Sequence, residues 1–287
     1  MKKRKTLLIA GLGMVLTILI SLGGCESTSI FGEDQYVEKV DRTLDAAGVS
    51  VIDAQTENGA ITLVGSTRAL VIVQAFKEVR ASNLRNAEEF AEEIQVFVVR
   101  EGNQIRIYKT HPKPPRGMNV NVRYDIQSPS NLDLNIQTTN GKITISDVDS
   151  TVYAVTSNGK IELHRASGHA NLHTSNGAIA ASLGTLREEG VFSTSNGSID
   201  VKIRNGVASV VATTSNGSID LTLPDNFSGQ LDAKTTNGHV SSEVPVLVHV
   251  TRGQNLKSNH LVGQIGEGGD PTVTLRSSNG NIHLDMW

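Results

Sequence analysis

Apolar and polar residues alternate on both sides of a recurring Asn-Gly step, and the alternation keeps one frame from copy to copy. Counted from the asparagine, apolar residues stand at −6, −4, +3 and +5. Around Asn58 they are Ile52, Ala54, Ile61 and Leu63; around Asn140, Leu134, Ile136, Ile143 and Ile145; around Asn158, Val152, Ala154, Ile161 and Leu163. Asn216 (Val210, Ala212, Ile219, Leu221) and Asn279 (Val273, Leu275, Ile282, Leu284) keep the frame. Period-two alternation flanking a fixed turn predicts two short strands per repeat, each with one buried face. The step is embedded in Thr-Thr/Ser-Asn-Gly, with Asn140, Asn158, Asn176, Asn196, Asn216 and Asn237 at its third position, Ser277-Ser278 before Asn279 in the last copy, and a variant copy at Asn58.

From Asn140 to Asn237 successive asparagines are 18, 18, 20, 20 and 21 residues apart, which is the signature of a repeat architecture. The following gap of 42 holds Ser258-Asn259-His260, which reads as a degenerate copy with Lys257 for Thr and His260 for Gly. The gap of 82 between Asn58 and Asn140 leaves room for three further copies. Strand-like pieces lie there at 71–76, 94–100, 104–109 and 118–126. The expectation is an all-β parallel β-solenoid of about eleven coils, roughly 50 Å long. The alternative is an antiparallel β-meander, because Asn-Gly is also the strongest hairpin turn. A solenoid rewards identical residues in register, as Asn, Thr and Ile ladders, and a meander does not. Parity places Thr and Asn inward, with Asn and Gly supplying the left-handed corner.

One segment departs from period two. Residues 81–94 carry Leu84, Ala87, Ala91 and Ile94 at helical spacing, with Glu88, Glu89, Glu92 and Glu93 between and Ser82 or Asn83 as cap. This predicts one short amphipathic helix covering an end or side of the sheet. Residues 111–117, with Pro112, Pro114 and Pro115, read as a surface loop.

The first residues are set apart from the fold. Lys2-Lys3-Arg4-Lys5 precedes an apolar run from Leu7 to Ile20, and Ser21-Leu22-Gly23-Gly24-Cys25 follows. This resembles the bacterial lipoprotein signal, which implies cleavage before Cys25 and acylation of that residue, palmitate included; an uncleaved anchor is the alternative. Cys25 is the single cysteine of the 287 residues, so no internal disulfide can form. The expected organisation is a signal peptide at 1–24, a flexible tether at 25–35 and the solenoid at 36–287. Within the solenoid, 36–131 is irregular, 132–242 regular, 243–272 degenerate and 273–287 the last coil.

Composition narrows the partners. The formal charge is −3, and without the four basic leader residues 22 basic face 29 acidic residues, so nothing marks nucleic acid or anionic lipid headgroups as a partner. The chain is 38% hydrophobic and only 4% aromatic, with 27 Gly, which suits a thin β-protein with many turns.

The TSNG-plus-Ile repeat, behind a lipoprotein-type leader and with an irregular first half, resembles the bacterial "putative adhesin" family of β-strand-repeat lipoproteins, a domain of unknown function. The resemblance spans about residues 36–287 and is densest over 132–240. It implies a parallel β-helix at the cell envelope and brings no catalytic residues with it.

Candidate chemistry is sparse. Position −1 forms a hydroxyl row of Thr139, Ser157, Ser175, Ser195, Ser215, Thr236, Ser258 and Ser278, able to meet glycans or simply suited to a tight corner. Asp200 and Asp220 share position +4 on adjacent levels, and His164, His169 and His173 cluster in sequence. No zinc spacing, His-Glu-x-x-His, Gly-x-Ser-x-Gly or P-loop is present, so no cofactor, metal or catalytic residue is assigned. The reading is a lipid-anchored, non-enzymatic envelope module of the adhesin or scaffold kind. Its partners would be the membrane, through its lipid, and a glycan, wall polymer or envelope protein. A carbohydrate-active β-helix enzyme and an envelope-stress sensor are the alternatives. With Glu26 and not Asp after the cysteine, the lipoprotein resemblance implies the outer membrane in a two-membrane bacterium; with one membrane, the protein would face outward from it. The variable outer corners at 165–168, 183–190 and 223–229 are where a partner is expected.

Overall fold

A computed structural model of the chain describes residues 26–30, 33–248 and 258–287. The leader, Cys25 and Lys257 of the degenerate copy lie outside the described residues.

Each Asn-Gly step joins two strands that lie in separate sheets. On one side stand Val51–Asn58, Asp133–Asn140, Asp149–Asn158, the second half of Ile161–Asn176, Gly190–Asn196, Val210–Asn216, Thr272–Asn279 and Gly229–Asn237. All pair in parallel with asparagine against asparagine. Across the corner, Ile61, Ile143, Ile161, Ile179, Ile199, Ile219 and Ile282 stack in register, and Val240 completes the row. The inward residues of both sheets form one continuous core. The parallel solenoid is therefore the architecture, and the meander is not.

The count and the order of the coils differ from the sequence expectation. Eight corners carry the asparagine, rather than about eleven levels, and they stack as 58, 140, 158, 176, 196, 216, 279, 237. The last coil in sequence thus lies inside the Asn237 coil. Packing explains the exchange. At −4, Leu275 sits between Ala212 and Ala233, a large residue between two small ones, as close packing asks. At +5, Ser242 is half-exposed at the end of a row that runs Leu221, Leu284; placed between two leucines its hydroxyl would be buried without need.

Ser258-Asn259-His260 is not a degenerate coil, and Asn259 is not part of the ladder. Strand His260–Ile265 runs antiparallel to Gly229–Asn237. The Ser258 and Asn259 carbonyls accept from the Val240 and Thr235 amides at 2.8 and 2.9 Å, closing the outermost corner. His260 also reaches Asp232 at 3.1 Å, and Arg276 bonds the same carboxylate.

The 82-residue gap holds one further level and not three, and that level lacks the Asn-Gly corner: Ile105 and Ile107 stand in parallel against Ile52 and Ala54, and Tyr124 and Ile126 against Ile61 and Leu63. Asn140 stacks directly on Asn58, and the intervening chain builds a cap. Strands Glu33–Asp45, Leu70–Ala81 and Asn119–Pro129 form an antiparallel sheet, and Asn119–Pro129 also runs parallel to Ile61–Ser66. Helix Leu84–Glu93 packs on this sheet through Ala87, Phe90 and Ala91, capped by Asn83, whose Oδ1 accepts from the Asn86 amide at 2.8 Å. Buried Lys77 ties the two together by donating to Glu38 at 3.0 Å and to the helix carbonyl of Ala91 at 3.2 Å. The expected tether contains a strand, Glu26–Ile30, paired antiparallel with Glu33–Val37.

Candidate binding faces and cleft

The corner is built from three interlocking contacts. Asparagine Nδ2 donates to the Oδ1 of the next asparagine along the stack, in one direction throughout: 140 to 58, 158 to 140, 176 to 158, 196 to 176, 216 to 196, 279 to 216 and 237 to 279, all at 2.8–2.9 Å. Each corner glycine amide except that of Gly238, at the outermost coil, bonds the asparagine carbonyl one coil away, as Gly141 does to Asn158 at 3.0 Å. The buried −2 hydroxyl donates to the glycine carbonyl of the neighbouring coil, as Thr138 does to Gly59 at 3.0 Å and Thr174 to Gly159 at 3.0 Å.

Two expectations about this corner are corrected. Threonine faces inward, but the ladder asparagines other than half-exposed Asn58 are exposed, because the chain turns there and the amides line the solvent edge. Glycine is not needed for a left-handed backbone: of the corner glycines only Gly59 has a positive φ, at 144°. It is needed for room, since a Cβ on Gly159 would lie 2.0 Å from the Gly141 carbonyl oxygen, and the same holds at Gly177, Gly197 and Gly217.

Outward residues form rows. The −1 hydroxyls from Thr139 to Thr236 and Ser278 are exposed or half-exposed, whereas Ser258 leaves the row for the closing turn. At +4 the row reads Asp200, Asp220, His283, Ser241. Ser241 Oγ lies 3.0 Å from His283 Nδ1. Desolvation against the sheet raises the Asp220 carboxyl even though its side chain is exposed, and the Asp200 charge adds to this; His283 and Lys202 partly offset it. The row stands on the outward side of a sheet, where no backbone amides converge on it as an oxyanion site would require. His164 and His173 stand on opposite sheets with His169 at the outer corner between them. Among the described residues no group of three or more His, Cys, Asp or Glu is placed to hold a metal ion. Nearby, Glu162 accepts from Lys142 at 2.7 Å and Lys160 at 2.9 Å, which together with His164 hold its carboxyl down at about 2 despite its partial burial.

One outer corner is less loop-like than the length variation suggests, whereas residues 187–189 and 224–228 leave the strands. Ile161–Asn176 runs through its corner as one strand, bending at Arg165 (φ 48°) and Gly168 (φ 118°). Arg165 grips Asp147 of the preceding coil through two hydrogen bonds of 2.6 and 2.7 Å, and Arg187 bonds Asp149.

A polar cleft on the ladder face arises where the cap meets the first coil. Strand Gln104–Thr110 pairs with Val51–Asn58 only as far as Ile107 and Ala54, after which the two diverge. The Thr56 hydroxyl turns instead to the Val122 carbonyl at 3.0 Å. A cleft of about 470 Å³ opens between them, walled by Arg106, Tyr108 and Lys109 and floored by Gln55, Gln137 and the −1 residues Thr139 and Ser157. Tyr108 stacks on Phe97 with centroids 5.0 Å apart, and the Arg106 guanidinium lies 5.3 Å from its ring. Buried Asp53 fixes the floor: Gln55 donates to it at 3.0 Å and Asn135 at 3.2 Å, and Gln137 donates to Asn135 at 2.9 Å. Residues 104–109 read as a strand in the sequence, but nothing local placed them beside Gln137. The Phe97 and Tyr108 pair, in a chain with few aromatics, was the available signal.

Two sheets wound coil on coil about laddered corners define a parallel β-solenoid. The chain belongs to the Toastrack DUF4097 family, whose model matches residues 119–285, in line with the resemblance noted from its repeats. Similar solved structures include a "putative cell adhesion protein" from Clostridium sporogenes (12% identity, 88% of this chain and 100% of that one, TM-score 0.31). Others are a "putative adhesin" from Bacteroides fragilis (11%, 86% and 97%, 0.34) and a "putative lipid binding protein" from Parabacteroides distasonis (12%, 85% and 96%, 0.39). No curated protein matches the chain in sequence.

Proposed function

We propose that the protein is a lipid-anchored component of the cell envelope that acts by binding and not by catalysis. It would hold a short rigid rod at the membrane for a glycan, wall polymer or envelope protein. The observation that carries this reading is the division of labour within each repeat. Thr, Asn and Gly are consumed in coil-to-coil contacts, leaving rows of outward side chains on a stiff frame, while the leader ends at Leu22-Gly23-Gly24-Cys25. Seven ladder steps at about 4.8 Å give a rod of roughly 34 Å. Cys25 precedes the strand that joins the antiparallel cap, so acylation there sets the cap beside the membrane and the Asn237 end away from it. Two or three acyl chains would make that attachment stable where one would not.

The test has two parts. Intact mass of the protein from membranes should show a chain beginning at Cys25 and carrying acyl groups, and Cys25→Ser should release it from the membrane fraction. The anchored protein should retain a defined envelope polymer or protein on pull-down. A soluble, unacylated parent chain removes the anchoring, and failure to retain any envelope component removes the binding role.

A further inference from the structure

We infer that the cleft between strand Gln104–Thr110 and the first coils is a binding site for a neutral oligosaccharide. This rests on the binding role proposed above and gives it a place and a ligand class. The charges at the cleft are already matched. Lys109, its side chain 5% exposed, donates to Glu57 at 3.2 Å, and Arg106 lies 3.3 Å from Glu101 and 3.7 Å from Asp53. Both cations already have carboxylate partners, so the lining holds no unmatched positive charge for a ligand to answer.

What the cleft leaves over is uncharged hydrogen-bonding groups. The Gln55 and Gln137 amides each give one N–H to the network, on Asp53 and Asn135, and each keeps its second N–H and its side-chain carbonyl oxygen, which no donor among the described residues reaches. Held in place by that network, the two oxygens can receive hydrogen bonds without further ordering of their side chains. Thr139 and Ser157 add hydroxyls that accept as well as donate, and the exposed part of Arg106 supplies donors. Such a surface suits a neutral ligand with many hydroxyls, which donate and accept alike, beside an aromatic wall fixed by Tyr108 on Phe97. Sugars have that chemistry. The volume lies within the roughly 300–1,000 Å³ usual for small-ligand clefts. Gln55, Arg106 and Tyr108 fall outside residues 119–285, whereas Gln137, Thr139 and Ser157 lie within them, so only part of the cleft belongs to the matched family region.

The test is calorimetric titration of the full chain in detergent with neutral tetrasaccharides: cellotetraose, maltotetraose, mannotetraose and chitotetraose. At least one should bind. Ser157→Phe, which fills the cleft from an outward position, and Gln137→Ala, which removes an acceptor, should each weaken it at least tenfold with the melting temperature unchanged. If one variant melts lower, the other decides. No binding of any of the four sugars overturns the inference, as does binding that both variants leave intact. Retention of an envelope component by a chain that ignores all four sugars would sink the cleft assignment and leave the wider binding role standing.

Discussion

Asn279 donates its side-chain amide to Asn216 at 2.9 Å, although 63 residues separate them and Asn237 intervenes in sequence. Asn237 in turn donates to Asn279 at 2.8 Å. The chain therefore builds the Asn237 coil one level too far out, closes it with the antiparallel strand His260–Ile265, and returns to fill the vacant level with its final residues.

Cross-linking distinguishes this order from simple succession. Thr213, Arg276 and Lys234 are outward register neighbours in that sequence of levels. With Cys25 replaced by serine, Thr213→Cys paired with Arg276→Cys should oxidise to an intramolecular disulfide, since adjacent strands are about 4.8 Å apart. Thr213→Cys paired with Lys234→Cys should not, because two levels exceed the roughly 7 Å that a disulfide can span. Non-reducing electrophoresis and mass spectrometry read the result, and the opposite pattern would restore the sequential order.

The inward threonine does more than fill space. Thr156 Oγ1 donates to the Gly141 carbonyl at 3.1 Å, from a side chain that is almost wholly buried. Thr156→Val keeps the shape and removes the donor, leaving a shielded carbonyl without its partner. A loss of about 1–2 kcal/mol is expected in denaturant unfolding. Thr139→Val, at the exposed neighbouring row, should stay within about 0.5 kcal/mol. Equal losses at both sites would mean that the hydrogen bond contributes nothing particular.

How far the sequence discloses this fold depends on the range of the contact. Strand parity is a property of residues two apart, so the inward Ile61, Ile143 and Ile161 row and the inward threonines are legible at once. The order of the coils is not, because each Asn-Gly corner offers its neighbours the same groups; what selects Leu275 between Ala212 and Ala233 is volume at a position seen only in register. Asn259 shows the opposite trap, a fragment of the motif used in an antiparallel turn. The asparagines' exposure escaped because parity ceases to hold where the chain turns. The cleft escaped because Tyr108 and Gln137 meet only through the cap.

Acid should weaken the outward face of the second sheet. Hydrogen bonds from Lys142 first, then Lys160 and His164, hold Glu162 at about 2, below the ordinary carboxylate value. A carboxyl depressed by folding contributes stability that is full above its unfolded value near 4.5 and is lost as pH falls toward 2. Glu162→Gln should flatten that part of the stability profile. Both lysines are nearly half-exposed, so the difference should remain below about 1 kcal/mol. Parallel profiles for the two proteins between pH 5 and about 2 would show that the cluster makes no such contribution.

The glycine at each corner sets the tightest limit on the repeat. A Cβ at Gly159 would stand 2.0 Å from the Gly141 carbonyl oxygen and 2.6 Å from its carbon, both backbone atoms held by the neighbouring coil. Nothing flexible can move aside, so Gly159→Ala must separate two coils. That separation strains the Asn158 to Asn140 and Thr156 to Gly141 hydrogen bonds together. The expected cost is about 3 kcal/mol, near the upper end for overpacking. It should appear as a lower denaturation midpoint and as faster amide exchange confined at first to the strands on either side of the Asn158 corner. Ser157→Ala, one residue away from Asn158 but pointing outward, should change neither. If Gly159→Ala were as mild as Ser157→Ala, the close approach of the corner carbonyls could not be what selects glycine there.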